Sequence, residues 1–135
     1  MTTKPSHIAR TFLETVTALE PSGFVGLFAD EAVQRVPFAP AGVPNTISGG
    51  EAVTRGFGAL GSMFKALAYS DVEVYDTSDP ELAIAFAHVE ATLQNGDPYT
   101  QDYVFYFRVR DGKIVEYREY MDPERMKHAL ALFAI

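Results

Sequence analysis

Apolar positions change period along the chain. Ile8, Phe12, Val16 and Leu19 recur at helical spacing, with Leu13 beside them, and predict a helix over 5–19. Pro5 suits its first turn, where the missing N–H costs nothing, and Pro21-Ser22-Gly23 ends it. Phe24, Leu27 and Phe28 suggest a short second helix closed by Asp30. Residues 32–38 read as a short strand, confined by Pro37 and Pro40 to an edge or a strand end. The Pro- and Gly-rich stretch 39–50 is a loop. Val53, Phe57, Leu60, Phe64 and Leu67 then form one apolar stripe, predicting a third helix over 51–67.

From Tyr69 the period becomes two. Strands are predicted over 69–77, 81–94, 99–110 and 113–121. Asp79-Pro80, Asn95-Gly96-Asp97-Pro98 and Asp111-Gly112 punctuate them as turns. Asp122-Pro123 reads as an N-cap followed by proline at the first helical position, and the closing helix carries Met126, Leu130 and Phe133 on one face. Helices first and antiparallel strands later predict the α+β class, with a curved, mostly antiparallel sheet covered on one face by helices. No repeat or linker interrupts the chain, so 1–135 reads as one domain.

The turns give a register. A three-residue loop at Arg110-Asp111-Gly112 sets Phe107 against Val115, Phe105 against Tyr117, Tyr103 against Glu119 and Gln101 against Met121. It matches apolar with apolar better than a two-residue turn, which sets Tyr103, Phe105 and Phe107 against Tyr120, Arg118 and Glu116. A four-residue loop at Asn95–Pro98 sets Glu90 against Tyr103, His88 against Phe105 and Phe86 against Phe107. Together these registers put Ile84, Phe86, His88, Glu90, Gln101, Tyr103, Phe105, Phe107, Val115, Tyr117, Glu119 and Met121 on one face. Ala83, Ala85, Ala87, Val89, Ala91, Val104, Tyr106 and Arg108 fall on the other.

Charge narrows the partners. Eleven Lys+Arg against 18 Asp+Glu leave a net charge of −7. That balance disfavours nucleic acid and anionic membrane surfaces. Hydrophobic residues make up 47% of the chain, enough for a substantial core, and cysteine is absent, which removes thiol nucleophiles and thiolate metal sites. No stretch approaches the roughly 20 apolar residues of a membrane span, and no apolar segment of a secretory signal precedes Glu14. A cytoplasmic protein is the expectation.

The chemistry on the predicted concave face centres on Glu119. An acid among Val115, Tyr117 and Met121 is costly unless paired, and desolvation poises it as a base. The alternative is a structural ion pair with Arg35, which is read as facing inward with Val33; Arg35 could otherwise hold a substrate oxyanion. His88 and Glu90, two apart, could act as an acid–base pair or form a satisfied core pair. His-x-Glu alone lacks the further ligands a metal needs, and no phosphate loop is present, so neither metal nor cofactor is expected. Tyr103, Tyr117, Phe105, Gln101, Met121, Phe57 and Phe86 are the expected pocket wall.

Val36-Pro37-Phe38-Ala39-Pro40, then Gly49-Gly50-Glu51-Ala52-Val53, and the closing Asp111–Asp122 run, in this order of elements, resemble the SnoaL-like branch of the nuclear transport factor two-like superfamily. The resemblance implies a cone-shaped α+β barrel with an apolar pocket. The superfamily includes ketosteroid isomerase, limonene epoxide hydrolase, scytalone dehydratase and polyketide cyclases. Tyr117-Arg118-Glu119-Tyr120-Met121 is similar to the run carrying the water-activating acid of limonene epoxide hydrolase, which puts Glu119 at the base position. That enzyme's Arg-x-Asp pair falls on His88-Val89-Glu90, and its Tyr-x-Asn pair near Val33 and Arg35. The expectation is a small cofactor-free enzyme acting on an apolar, oxygenated molecule by acid–base chemistry, as isomerase, cyclase or dehydratase. Glu119 would be the base, Glu90 and His88 the partner acid, and Arg35 or a tyrosine the oxyanion stabiliser. The rival is a non-catalytic ligand-binding or dimerisation module. The alanine-rich row of strand 81–94, with Val104 and Tyr106, suggests a homodimer through the outer sheet face.

Overall fold

Residues 3–131 are described by the computed structural model. Helix α1 (Pro5–Ala18) is followed by a single 3-10 turn (Pro21–Phe24), β1 (Phe28–Arg35) and β2 (Thr46–Ser48). Then come α2 (Gly50–Gly58), the short α3 (Leu60–Met63) and four long strands: β3 (Phe64–Asp76), β4 (Leu82–Leu93), β5 (Pro98–Arg110) and β6 (Lys113–Tyr120). Helix α4 (Pro123–Ala131) closes the described chain. The six strands form one curved, open sheet in the order β2-β1-β6-β5-β4-β3. Only the β1–β6 pair is parallel. This is the α+β class.

Two local expectations give way. The region of Phe24, Leu27 and Phe28 is a 3-10 turn leading into β1, not a helix. The predicted helix over 51–67 is broken after Gly58, resumes for one turn as α3 and ends at Met63, because β3 already begins at Phe64. Gly56, Gly58 and Gly61 weaken the helix there, while Phe64 and Leu67 fit a strand whose inner face is covered. At the other end Asp122 Oδ1 accepts the Glu124 N–H at 2.9 Å, so the expected cap with Pro123 at the first helical position forms. Phe133 lies outside the described residues.

The hairpin registers differ from the expected ones, with opposite consequences. Between β5 and β6 the loop is two residues, Asp111 and Gly112, both left-handed (φ 54° and 74°). It pairs Arg110 with Lys113 and Val109 with Ile114. Left alone, that register would set apolar against charged residues. A bulge then places Val115 as an extra residue, so Arg108 meets Glu116, Phe107 meets Tyr117 and Phe105 meets Glu119. The slip from the expected pairs is even, so Tyr103, Phe105, Phe107, Tyr117 and Glu119 keep one face, although Glu119 lies opposite Phe105 rather than Tyr103. Val115 leaves that face.

Between β4 and β5 the slip is odd. Leu93 donates to the Asp97 carbonyl at 2.8 Å, which closes a three-residue loop with Gly96 left-handed (φ 93°). The Asn95 side chain accepts the Asp97 N–H at 2.9 Å, and Pro98 begins β5 rather than ending the loop. Glu90 therefore pairs with Thr100 and His88 with Asp102. Every β4 side chain changes face relative to the expected register. Ala83, Ala85, Ala87, Val89 and Ala91 point inward, and Ile84, Phe86, His88 and Glu90 point outward. Physically this is the better solution, because a row of small alanines admits α1, whose Ile8, Ala9, Phe12, Leu13 and Val16 pack into the sheet's concavity.

The alanine row that suggested a dimer is thus core. Val104 and Tyr106 stay on the outer face, joined by Ile84 and Phe86. Phe12 is the hub of the interior, with Phe24, Phe28, Phe57, Phe107 and Tyr117 around it at centroid distances of 5.0–6.3 Å. Among the described residues no helix is long and apolar enough to cross a membrane.

The inward alanines give a direct test of this register. Ala85→Leu must force extra volume against α1 and should lower stability by about 1–3 kcal/mol in denaturant titration. Phe86→Ser, on the outer face, should change it by no more than about 0.5 kcal/mol. The opposite ranking would restore the four-residue loop.

Candidate functional site

A cavity of about 210 Å³ opens between the inner face of the sheet and the helices. Its aromatic floor comes from β5 and β6 through Tyr99, Tyr103, Phe105 and Tyr117. Phe12 of α1, Phe57 of α2 and Tyr69 of β3 form the sides. Met126, Ala129 and Leu130 of α4 cover one end. Glu119 is the one charged residue in the wall among the described residues. β6 turns it inward by simple alternation from Tyr117, once the bulge at Val115 has reset the face.

Glu119 retains some accessible surface because it lines the cavity, but it is packed deep among heavy atoms. Burial pushes its carboxyl pKa up from the ordinary glutamate range, opposed by a hydrogen bond from Tyr117. The Tyr117 hydroxyl donates to Glu119 Oε1 at 2.7 Å, which leaves Oε2 as the free oxygen. Burial, followed by the Glu119 charge, raises the pKa values of Tyr69, Tyr103 and Tyr117 well above the phenol range. These phenols stay protonated, each with one proton to give and an oxygen that can accept. The arrangement is one carboxyl and a set of hydroxyls in an otherwise apolar chamber.

Several expected site residues lie elsewhere. His88 and Glu90 are on the outer face, as the β4 register requires. His88 Nδ1 lies 2.8 Å from Asp102 Oδ1 and its Nε2 lies 3.4 Å from Glu90 Oε1. Asp102, then Glu90, raise the His88 pKa, and Arg125 of α4 reaches Asp102 at 3.4 Å. This is a surface ion-pair cluster without access to the cavity. Phe86 is also outside, 41% exposed and edge-on to Tyr75.

Arg35 is outside too. β1 runs parallel to β6 with Gln34 beside Tyr117 and Arg35 beside Arg118, so alternation turns Gln34 inward and Arg35 outward. The Arg35 Nε donates to Glu116 Oε2 at 2.9 Å, a carboxylate it shares with Arg118 at 2.8 Å. The structural pair between Arg35 and Glu119 therefore does not form. Gln101 and Met121 are buried but do not line the cavity. Tyr103, Tyr117, Phe105 and Phe57 do line it, together with Glu119.

Two functional groups escaped the sequence reading. Tyr69 and Tyr99 both line the cavity. Tyr99 shares a face with Tyr103 by period two, so its position was available from the alternation. Tyr69 was read as the first residue of a strand, and with the true start of β3 at Phe64 inside the predicted helix its face was not fixed. Gln34 is a third surprise: its Oε1 is buried with no hydrogen-bond partner among the described residues.

A SnoaL-like domain model matches residues 9–117. The chain belongs to the SnoaL-like family. A PhzA/B-like protein of Pseudomonas aeruginosa, itself uncharacterised, is 34% identical over 109 residues, covering 80% of this chain and 77% of that one. A Bacillus subtilis protein described provisionally as an isomerase superposes with a TM-score of 0.85 at 27% identity, covering 94% of this chain and 92% of its own. A nuclear transport factor 2-like protein of Burkholderia xenovorans superposes with a TM-score of 0.75 at 17% identity over 96% and 98% of the two chains. These likenesses establish the fold and the family of the SnoaL-like domain.

The raised Glu119 pKa has a defined effect on stability. Below the ordinary carboxyl range of about 4.3, Glu119 is protonated whether folded or unfolded and costs nothing. As pH rises, the unfolded chain ionises first, so folded stability falls until the pH passes the raised folded value. Glu119→Gln removes this titration. Its unfolding midpoint relative to wild type should therefore shift in favour of the variant as pH rises through that window, and level off above it. Urea titrations of both proteins between pH 4 and 9 measure the slope. A flat difference would show that burial does not raise this carboxyl.

Proposed function

We propose that this domain is a small enzyme that moves a proton on an apolar, oxygenated small molecule, with Glu119 as the base. The observation that carries the reading is a single carboxyl, raised in pKa by burial and facing an aromatic cavity with no cation in its wall among the described residues. A structural carboxylate would be paired with a cation; this one is held by a phenol. A glutamate whose pKa is raised is a stronger base in its ionised form. Tyr117 fixes Oε1, so Oε2 is the oxygen placed to take a proton. The apolar wall favours a largely hydrocarbon ligand and excludes water that would otherwise solvate the developing charge. The provisional isomerase description of the Bacillus subtilis relative fits this chemistry.

Isomerisation, cyclisation and dehydration all begin with such a proton abstraction. The test is solvent exchange: a panel of small ketones is incubated in D₂O with the protein, and loss of the C–H signal next to the carbonyl is followed by NMR. Glu119→Gln keeps the shape and removes the base. It should lower exchange by roughly 10²–10⁴-fold, the usual range for a general base, while the compound still binds. Unchanged exchange in the variant would overturn the reading. Tight binding with no exchange in either protein would leave the domain as a carrier of small apolar ligands.

A further inference from the structure

The rings that line the cavity do not lie in one plane. Tyr103 and Phe105, two apart on β5, are nearly parallel, with centroids 5.2 Å apart and 13° between their planes. Tyr69 of β3 stands at 85° to Phe105, centroids 6.3 Å apart, and Phe57 of α2 stands at 89° to Tyr117 of β6 at 5.3 Å. All five border the same space. Parallel walls facing each other would make a slot for a flat ligand. Walls that meet at right angles make corners, and corners suit a round group better than a planar one.

The charge of these walls has one sign. An aromatic ring is negative over its face and attracts a cation within about 6 Å of its centroid. Glu119 adds a full negative charge when ionised, and the Glu119 charge is felt at Tyr69, Tyr103 and Tyr117, which places it close to all three rings. Its neighbour on β6, Glu116, is held by two arginines. Glu119 has only the Tyr117 hydroxyl on Oε1, and among the described residues no positive side chain borders the cavity. An enclosed carboxylate without a cation is costly, and a cation that enters from outside removes that cost. The net charge of −7 draws such a cation toward the protein.

The wall also selects among cations. A divalent metal ion needs several oxygen ligands, and the wall offers one carboxyl. A primary ammonium has three N–H donors to satisfy. Only Oε2 of Glu119 is free as a charged acceptor, and the Tyr99 and Tyr103 hydroxyls are paired with each other at 3.2 Å. An ammonium whose hydrogens are replaced by methyl groups has few donors or none. It spreads its charge over a round apolar surface that can pack on rings.

We propose that this cavity is a binding site for methylated ammonium compounds, tertiary or quaternary, with the cationic head among Tyr69, Tyr103 and Phe105 and Glu119 as its counter-ion. The site does not depend on Glu119 acting as a base. A bound ammonium occupies the carboxylate that proton exchange needs, so the two classes of ligand compete.

Choline and 3,3-dimethylbutan-1-ol share one shape and one hydroxyl and differ by nitrogen for carbon, and so in charge. Dissociation constants for both are measured by NMR titration at pH 8. Wild-type protein should bind choline more tightly than the alcohol by roughly 30-fold, the scale of a desolvated cation–π contact. Glu119→Gln should lose most of that preference and bind the alcohol as before. Tyr69→Leu keeps an apolar wall and removes one ring. It should weaken choline by roughly 2–5-fold, the share of a single weaker contact, and leave the alcohol unchanged. Tyr69 packs on Phe105, so if that variant does not fold, Glu119→Gln decides alone.

Equal or tighter binding of the alcohol by wild type overturns the proposal, and so does a failure of choline to bind. Choline binding that survives unchanged in Glu119→Gln belongs to acids on the surface and overturns it as well. Choline binding that depends on Glu119, in a protein that exchanges no ketone proton, would remove the base and leave this site standing. Ketone exchange without a preference for choline would do the reverse.

Discussion

The period of two in a strand makes every hairpin loop a choice of contents for the cavity. In this fold two loops make that choice. The three-residue loop ending at Gly96 turns the alanines of β4 inward, and their small side chains let α1 lie in the curve of the sheet. The two-residue turn at Asp111-Gly112 would on its own turn Glu116 and Arg118 inward. The bulge at Val115 corrects it and delivers Tyr117 and Glu119 to the interior instead. Glu116 then meets Arg35 and Arg118 on the outside, where three charges can share solvent. A single inserted residue thus separates a structural ion-pair cluster from the acid that lines the cavity.

Burial of that acid opposes stability. Among the described residues this carboxyl has no cation beside it and is held by a single phenol donor and an aromatic wall. Burying an ionised group without a partner is expensive, and the chain meets the cost by letting the carboxyl hold its proton to higher pH. The surface acids behave in the opposite way: hydrogen bonding lowers the pKa of Asp79, Asp102 and Glu81, with the arginine or histidine partner the largest cause for Asp102 and Glu81. Acids of one chain are thus pushed in opposite directions by where alternation puts them. The packed phenylalanines around Phe12 supply the apolar burial that tolerates such a site.

Much of this was legible in the sequence. Strand limits after residue 81 follow from Asp-Gly and Asn-Gly punctuation, and the Asp122-Pro123 cap follows from residue chemistry alone. The inward set of β5, and of β6 from Tyr117 onward, was also readable, because an even register error preserves faces. The contents of β4 were not. Both of its faces are apolar enough to be buried, so hydrophobicity could not decide between Ala83–Ala91 and Ile84–Glu90. The deciding fact was whether Pro98 belongs to the loop or the strand. Similarly, Val33-Gln34-Arg35 offers no clear alternation, and only the parallel pairing with β6 shows that Gln34 rather than Arg35 faces in. The first residues of β3 were hidden because a stripe at helical spacing, Phe57 to Leu67, continues across the helix–strand junction, and Tyr69 was left as the first residue of a strand with no inward neighbour to fix its face.

Residues outside the cavity also govern its shape. Gln101 accepts the Asp122 N–H and donates to the Asp122 carbonyl, so it fixes the point at which α4 leaves β6. The same Asp122 then caps that helix through Glu124. Met126, Ala129 and Leu130 are carried from this anchor onto the mouth of the cavity. On the outer face, Arg125 reaches Asp102, the residue that holds His88, so the same helix is tied to the sheet from the solvent side as well. One buried amide, which also donates to the Tyr99 hydroxyl, therefore couples the placement of the covering helix to the hydroxyl array beneath it. The surface cluster of His88, Glu90, Asp102 and Arg125 ties that helix to the outer face of the sheet. Covering the chamber and holding one of its hydroxyls are consequences of one anchoring point, which is why a site of so few polar atoms can be built on an otherwise apolar wall.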